Sequence, residues 1–286
     1  MIRKIRDITL QIVAGVNIGT VVAMLLIGFS DRINPTAHPL WANVGLAFPV
    51  FLAANMGFLV FFLIVRKKYA IVSLAGLLLG YSPIRKYCPF NVSRDVPPGS
   101  LKVLSYNVHG FVAEDPPEDQ PNPILDYVKN SGADIVCLQE ARLSDAILDT
   151  VKGVYAYADS VIHTGRGDCL VIFSKYPILS KDRIEYKSRG NLSAAFKVKI
   201  DVDTVTVVNN HFESSGLSLA DRAGFKEIIK GNSDKDTIKA ESKRIAKQLG
   251  KSVQIRAPQV EAVAGYVKKC DGPVILCGDF NDSPIS

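Results

Sequence analysis

None of the five cysteines (Cys88, Cys137, Cys169, Cys270 and Cys277) stands in a C-x-x-C pair, which removes the common zinc and dithiol redox signatures. The count is odd, so at least one thiol stays free. Cys137, Cys169 and Cys277 lie in apolar runs and read as core residues. There is no internal repeat and no low-complexity tract. Also missing is a basic excess in the C-terminal two-thirds. The formal net charge is +6 over 286 residues, but residues 1–100 hold 10 Lys/Arg against 3 Asp/Glu, and residues 101–286 hold 24 against 25. The basic balance therefore belongs to the first segment, and charge offers no argument for a domain that attracts DNA.

Charge is absent altogether from Ile8 to Ser30, a run long enough to cross about 30 Å of hydrocarbon. A second uncharged stretch runs from about Ala42 to Val65, and a shorter third from Tyr69 to Ile84. A cleaved signal peptide is the alternative for the first, but its apolar run exceeds an ordinary signal core and no A-x-A site follows. A buried or re-entrant helix is the alternative for the third. Arg3, Lys4 and Arg6 precede the first stretch, only Arg32 lies in the first loop, and Arg66, Lys67 and Lys68 separate the second and third. This puts the N-terminus inside, the first loop outside and the second loop inside. Residues 1–85 thus read as a membrane segment embedded in the lipid bilayer, with three spans at about 8–30, 42–65 and 69–84. Everything after Ile84 would then be extracytoplasmic (periplasmic); two spans would leave it cytoplasmic. Residues 86–100, with Pro89, Pro97, Pro98 and Gly99, read as a linker.

After residue 100 the pattern changes. Leu101–Val108 alternates as a strand, Asn122 with Pro123 can start a helix, and Asp134–Glu140 is a buried strand with a carboxylate at its tip. A helix from about Leu143 follows. Strand runs come next at Val154–Ala158, Cys169–Phe173, Ile178–Tyr186, Ala194–Ile200 and Thr204–Asn209. Helical stretches at 219–229 and 238–255 follow, then a further helix opened by Pro258 and a last strand at 273–278. Strand–helix alternation at the two ends, with antiparallel-looking strands between, argues a mixed-sheet α/β domain over 101–286.

Polar residues stand just after four of these strands: Asn107 and His109, Glu140, His211 and Glu213, then Asp279, Asn281 and Asp282. Strand ends gather such groups at one sheet edge. The set is rich in oxygen donors with no thiolate in place, which suits Mg²⁺ or Mn²⁺ over zinc. The motifs Ser105-Tyr106-Asn107-Val108, Leu138-Gln139-Glu140, Asn209-Asn210-His211-Phe212-Glu213 and Gly278-Asp279-Phe280-Asn281 resemble the successive motifs of the endonuclease/exonuclease/phosphatase superfamily, the deoxyribonuclease-I-like fold. Gly167–Ile178 resembles its central strand and turn.

The resemblance implies a four-layer αββα sandwich and hydrolysis of phosphoester bonds, as a phosphodiesterase or phosphatase. It implies that Glu140 holds the metal with Asn107 beside it, that Asp279 orients or deprotonates the attacking water, that Asn281 positions the nucleophile, and that His211 donates to a phosphate oxygen. The role of His109 stays open. The family ends on a Ser-Asp-His-like motif, and this sequence ends seven residues after Asp279. The expectation is a sandwich incomplete at its C-terminus, its last strands absent, and a chain inactive as written.

Two alternatives to a lipid or other non-nucleic-acid phosphoester substrate stay open: a nuclease acting on DNA or RNA, and a non-catalytic membrane-tethered binding module. No feature points to a protein partner. The stretch from Arg222 to Arg256, with ten Lys/Arg against Glu227, Asp234, Asp236 and Glu241, reads either as a solvated helix face or as a surface for anionic headgroups or a phosphate-bearing substrate.

Overall fold

A computed structural model describes residues 2–92, 95–112, 122–163, 169–230, 232 and 234–285. The acidic loop at Glu114–Gln120, the Gly167-Asp168 pair and Ser286 lie outside the described residues. In chain order the helices α1 (Ile2–Gly28), α2 (Pro39–Ala42), α3 (Phe48–Val65), α4 (Lys67–Leu79) and α5 (Tyr81–Tyr87) come first. Then follow β1 (Val103–Asn107), α6 (Pro123–Asn130), β2 (Ile135–Gln139), α7 (Asp145–Val151), β3 (Tyr157–Ile162), β4 (Cys169–Ser174), β5 (Ile178–Ile184), β6 (Ser193–Ile200) and β7 (Asp203–His211). The helices α8 (Leu219–Ile229) and α9 (Lys235–Val267) and the strand β8 (Val274–Asp279) complete the order. The chain divides into two compact units: residues 1–94, 216–254 and 282–286, and residues 95–215 and 255–281.

In the first unit α1, α3 and α4 pack against one another. Met24, Phe48 and Leu52 form one buried cluster, and Ala14, Phe62 and Ala70 another. Between these layers sits a fully buried polar group, in which Asn17 donates to the Ser73 hydroxyl at 2.8 Å and Asn55 to the Ser73 carbonyl at 3.3 Å. Arg66 pairs with Asp7 at 3.9 Å, and Lys86 pairs with Asp31. Two helical stretches, Arg3–Arg32 and Val44–Val65, are long and apolar enough to cross a membrane. The third apolar stretch is two helices, α4 and α5, meeting at Gly80. The backbone bonds run on across the break, Gly80 N–H to the Gly76 carbonyl and Ile84 N–H to the Gly80 carbonyl, each 2.9 Å.

The second unit holds two four-stranded sheets, ordered β1-β2-β4-β3 and β5-β6-β7-β8. Ile135, Cys137, Leu170 and Ile172 of the first sheet pack on Leu192, Ala194, Phe196, Val198 and Val207 of the second. The outer face of the first sheet is covered by Leu125, Val128 and Val151 from α6 and α7, and that of the second by Val263 from the last part of α9. The layers are helix, sheet, sheet, helix, as the resemblance implies. Helix starts follow from capping: Asn122 Oδ1 accepts from Ile124 N–H at 2.9 Å with Pro123 next, and Ser144 caps α7, so that helix opens at Asp145 and not at Leu143.

Three sequence expectations shift. The third strand starts at Tyr157, because Tyr155 is buried and donates to the Val128 carbonyl at 3.1 Å, which ties it to α6. The helix expected to restart at Pro258 is continuous from Lys235, since losing one N–H does not end a helix that packing supports on both sides. Cys277 is only half-buried, because β8 is the outer strand of its sheet among the described residues. All five cysteines are free thiols.

A buried amide pair ties the sheets together. Gln139 Nε2 donates to Asn209 Oδ1 at 2.6 Å, and Asn209 Nδ2 donates to the Leu138 carbonyl at 3.0 Å, both side chains being almost fully excluded from solvent. Asn209→Ala removes the shortest bond of the Gln139 amide, leaving it the longer contacts to Ser105 Oγ and the Cys137 carbonyl, each 3.3 Å, and takes a donor from the Leu138 carbonyl, so a loss of about 1–3 kcal/mol is expected, read as a lower thermal midpoint. Gln139→Leu combined with Asn209→Leu should recover part of it, because both ends of the bond are then gone; a double variant no better than the single would refute this account.

Candidate active site

The pairing of β1 with β2 is parallel, and so is that of β7 with β8, so their C-terminal ends fall at common edges: Asn107 opposite Gln139, and His211 opposite Asp279. Asn107 closes β1, Glu140 directly follows β2, and Asn281 lies two residues beyond β8. The Asn107 amide joins the two sheets, its Nδ2 donating to Glu140 Oε1 at 2.9 Å and to Asp279 Oδ2 at 3.0 Å. Its Oδ1 accepts from the His109 N–H at 3.1 Å. Asp279 Oδ1 accepts from the Asn281 N–H at 3.0 Å, and Asn281 Nδ2 is anchored on the Phe212 carbonyl at 2.9 Å. His211 is buried, with Nε2 3.7 Å from Glu140 Oε1 and 4.0 Å from Asp279 Oδ2. The five residues singled out in the sequence therefore converge.

The structure adds a contact that the sequence left open. His109 is exposed and its Nδ1 lies 3.0 Å from Glu140 Oε2. A carboxylate only accepts, so the imidazole donates there. Burial would push the Glu140 carboxyl up, but the hydrogen bonds from Asn107 and His109 and the charges of His211 and His109 outweigh it and hold the carboxyl below its ordinary value. Glu140, His109 and Asn281 have φ of 53°, 44° and 52°, a left-handed conformation that side-chain-bearing residues seldom adopt and that is frequent at functional sites. Gly278 has φ 140°, and a Cβ there would collide with the Asn210 carbonyl opposite it in β7, so the strand position just before Asp279 requires glycine.

The sequence profile of the endonuclease/exonuclease/phosphatase family matches residues 104–286, and that of a domain of unknown function matches residues 10–87. The chain belongs to the endonuclease/exonuclease/phosphatase family. Similar solved structures include a truncated Caenorhabditis elegans TDP2, at 18% identity over 65% of this chain and 65% of that one, with a TM-score of 0.40. A β-hairpin deletion mutant of Staphylococcus aureus beta toxin is 20% identical over 64% of this chain and 68% of its own, with a TM-score of 0.42. ANGEL2, a 2',3'-cyclic phosphatase, is 21% identical over 64% of this chain and 54% of its own, with a TM-score of 0.36. This chain thus spans a little under two thirds of the TDP2 structure. No protein with a curated description matches it.

Because the Glu140 carboxyl is depressed on folding, its contribution to stability is full above the unfolded value and is lost as pH falls through the folded one. Asn107→Leu removes the hydrogen bond to Oε1, so Glu140 should titrate at higher pH, and the acid limb of a stability profile should move up with it. An unchanged Glu140 titration in that variant, followed by carboxyl NMR, would show that the amide contributes nothing.

Proposed function

We propose that this chain is a membrane-anchored hydrolase of phosphoester bonds that works with Mg²⁺ or Mn²⁺. The observation that carries this reading is the Asn107 amide holding Glu140 and Asp279 together at the strand ends of a family-matched domain. The donors fit a hard divalent cation: two carboxylates whose side chains are 35% and 31% exposed, an amide, and no thiolate. Among the described residues no three His, Cys, Asp or Glu side chains form a closed metal cage. Mg²⁺ needs none, since it is held by one or two carboxylates together with water and substrate phosphate. Glu140 would hold the ion with Asn107 beside it. When bound, the ion polarises a phosphoryl oxygen and offsets the charge that develops there.

In this reading Asp279 orients the attacking water and takes up its proton, with the carboxylate held in place by Asn107 and the Asn281 N–H. Asn281 positions the nucleophile with the amide atoms left over from its bond to Phe212. His211 donates Nε2–H to a phosphate oxygen. His109 orients the outer oxygen of Glu140. The near-neutral balance of residues 101–286 and the apolar N-terminal helices favour a lipid or other non-nucleic-acid phosphoester over DNA or RNA.

Hydrolysis of a generic chromogenic phosphodiester by a detergent-solubilised full-length version, one that carries the Ser-Asp-His-like motif, should stop on chelation and return with Mg²⁺. Glu140→Gln should lower the rate by about a hundredfold or more. Equal rates with and without chelator would end the metal reading, and full activity in the variant would remove Glu140 from it. For topology we infer three crossings, with the family domain extracytoplasmic (periplasmic). A reporter fused after residue 100 should give an extracytoplasmic signal, and a cytoplasmic one would replace three spans with two.

A further inference from the structure

An ion pair joins α8 to α9. Ser218 and Asp221 form a reciprocal capping box at the start of α8, and Asp221 also pairs with Arg244 of α9. Along the first part of α9 stand Lys235, Lys239, Lys243, Lys247 and Lys251, every fourth residue and all exposed. Four residues advance a helix by 400° and about 6 Å, so the five ammonium groups form a continuous stripe that winds about 160° around the helix from Lys235 to Lys251. Ile238, Ile245, Leu249 and Val253 occupy the other side and are half-buried or buried.

The acids of the hairpin are engaged elsewhere. Glu227 accepts from Lys230 at 2.9 Å and Asn232 at 2.8 Å, Glu241 pairs with Arg244 at 2.6 Å, and Asp234 accepts from Thr237 at 2.6 Å. Asp236, exposed at the N-terminal end, is the acid on the stripe's own side. Among the described residues none of the five lysines has an ion-pair or hydrogen-bond partner. The hairpin falls in the same compact unit as the apolar helices α1, α3 and α4.

We propose that this lysine stripe is a docking surface for the headgroups of anionic phospholipids in the bilayer that the apolar helices cross. The inference rests on the membrane-anchor reading and is independent of the hydrolase reading. Clustered lysines next to a span are drawn to an anionic leaflet, and the stripe's apolar flank is already used in packing, so the attraction is electrostatic and not insertion. No aromatic residue interleaves the five lysines, so the stacking platform of a single-stranded nucleic-acid groove is absent. Tethering by the spans keeps a bilayer within reach at high effective concentration.

The test is hydrogen exchange of residues 235–251 in the full chain, assembled into nanodiscs of phosphatidylcholine alone or with about one third phosphatidylglycerol. Docking suppresses local opening, so exchange should be about fivefold slower in the anionic discs, and the difference should vanish at about 0.5 M salt. Replacing Lys239, Lys243, Lys247 and Lys251 together by Gln should abolish the difference while leaving exchange in neutral discs as in the parent, which certifies the fold. The same four changed to Arg should preserve it. Equal exchange in both compositions, or slowing that survives the Gln variant, overturns the proposal. Single-stranded DNA that slows the segment in neutral discs more than phosphatidylglycerol does would overturn it in favour of a nucleic-acid surface. Failure to enter discs of either composition overturns the anchor instead. The stripe is then read by flotation with vesicles of the same two lipids, where equal binding to both refutes it.

Discussion

One amide group governs the centre of the second unit. Two carboxylates brought together from strand ends of the two sheets repel each other, and each needs hydrogen-bond donors at a half-buried edge. Asn107 answers both with one side chain. Its two N–H bonds go to Glu140 and Asp279, and its oxygen accepts from the His109 N–H with one lone pair left over, so both donors are committed. The bridge is possible because β1 lies beside β2 in one sheet while β8 ends beside β7 in the other, and parallel pairing brings the four C-terminal ends to the same edge. The deeper Gln139–Asn209 bond fixes the spacing of the sheets just below the site, so the amide bridge is set on a rigid base.

That arrangement also sustains backbone strain. A left-handed backbone costs Glu140 about 1–2 kcal/mol, and two further left-handed residues, His109 and Asn281, of types that adopt it more readily, stand at the site. Each is over-determined by its neighbours. The Glu140 carbonyl accepts from the Gly110 N–H at 2.8 Å, and the next residue, Ala141, donates to the Cys169 carbonyl at 3.1 Å. Asn281 is held at both its backbone N–H and its side chain. The turn that re-aims Glu140 out of a fully buried strand is what brings its carboxylate to the edge. A relaxed extended backbone would continue the alternation of β2 and send the side chain of the next residue to a face and not to the rim.

Much of this was legible beforehand. Strand assignments in the domain were largely recovered because apolar runs such as Ile135–Leu138 and Cys169–Phe173 end on polar residues, and parallel neighbours follow from strand–helix alternation. Asn107, Glu140, His211, Asp279 and Asn281 could be grouped because each ends or closely follows such a run. The missed parts share a physical cause: they depend on contacts between segments distant in sequence. The Gln139–Asn209 bond joins positions 70 residues apart, and the His109–Glu140 bond spans 31. Neither has a local pattern, although a glutamine inside an otherwise apolar strand is the kind of residue that must find a buried partner. The start of β3 slipped for the same reason, since Tyr155 looks like a strand residue until its hydroxyl is seen on α6.

The parity of the spans turns on α4 and α5. α4 alone, with 13 residues, reaches about 20 Å, which is too short for the hydrocarbon core. The two helices together are another matter. Arg66, just before α4, pairs with Asp7, whereas Lys86, inside α5, pairs with Asp31. Those two aspartates are separated by about 36 Å along α1 and the turn that follows it. The segment from Arg66 to Lys86 therefore travels the whole length that α1 travels, and the bonds across Gly80 keep its backbone satisfied through the break, as a path through lipid requires. Midway, Ser73 meets Asn17 of α1 and Asn55 of α3, an interhelical polar contact of the kind that holds helices together where water is absent. If α1 crosses the bilayer, a segment fastened beside it at both ends and at its middle crosses with it.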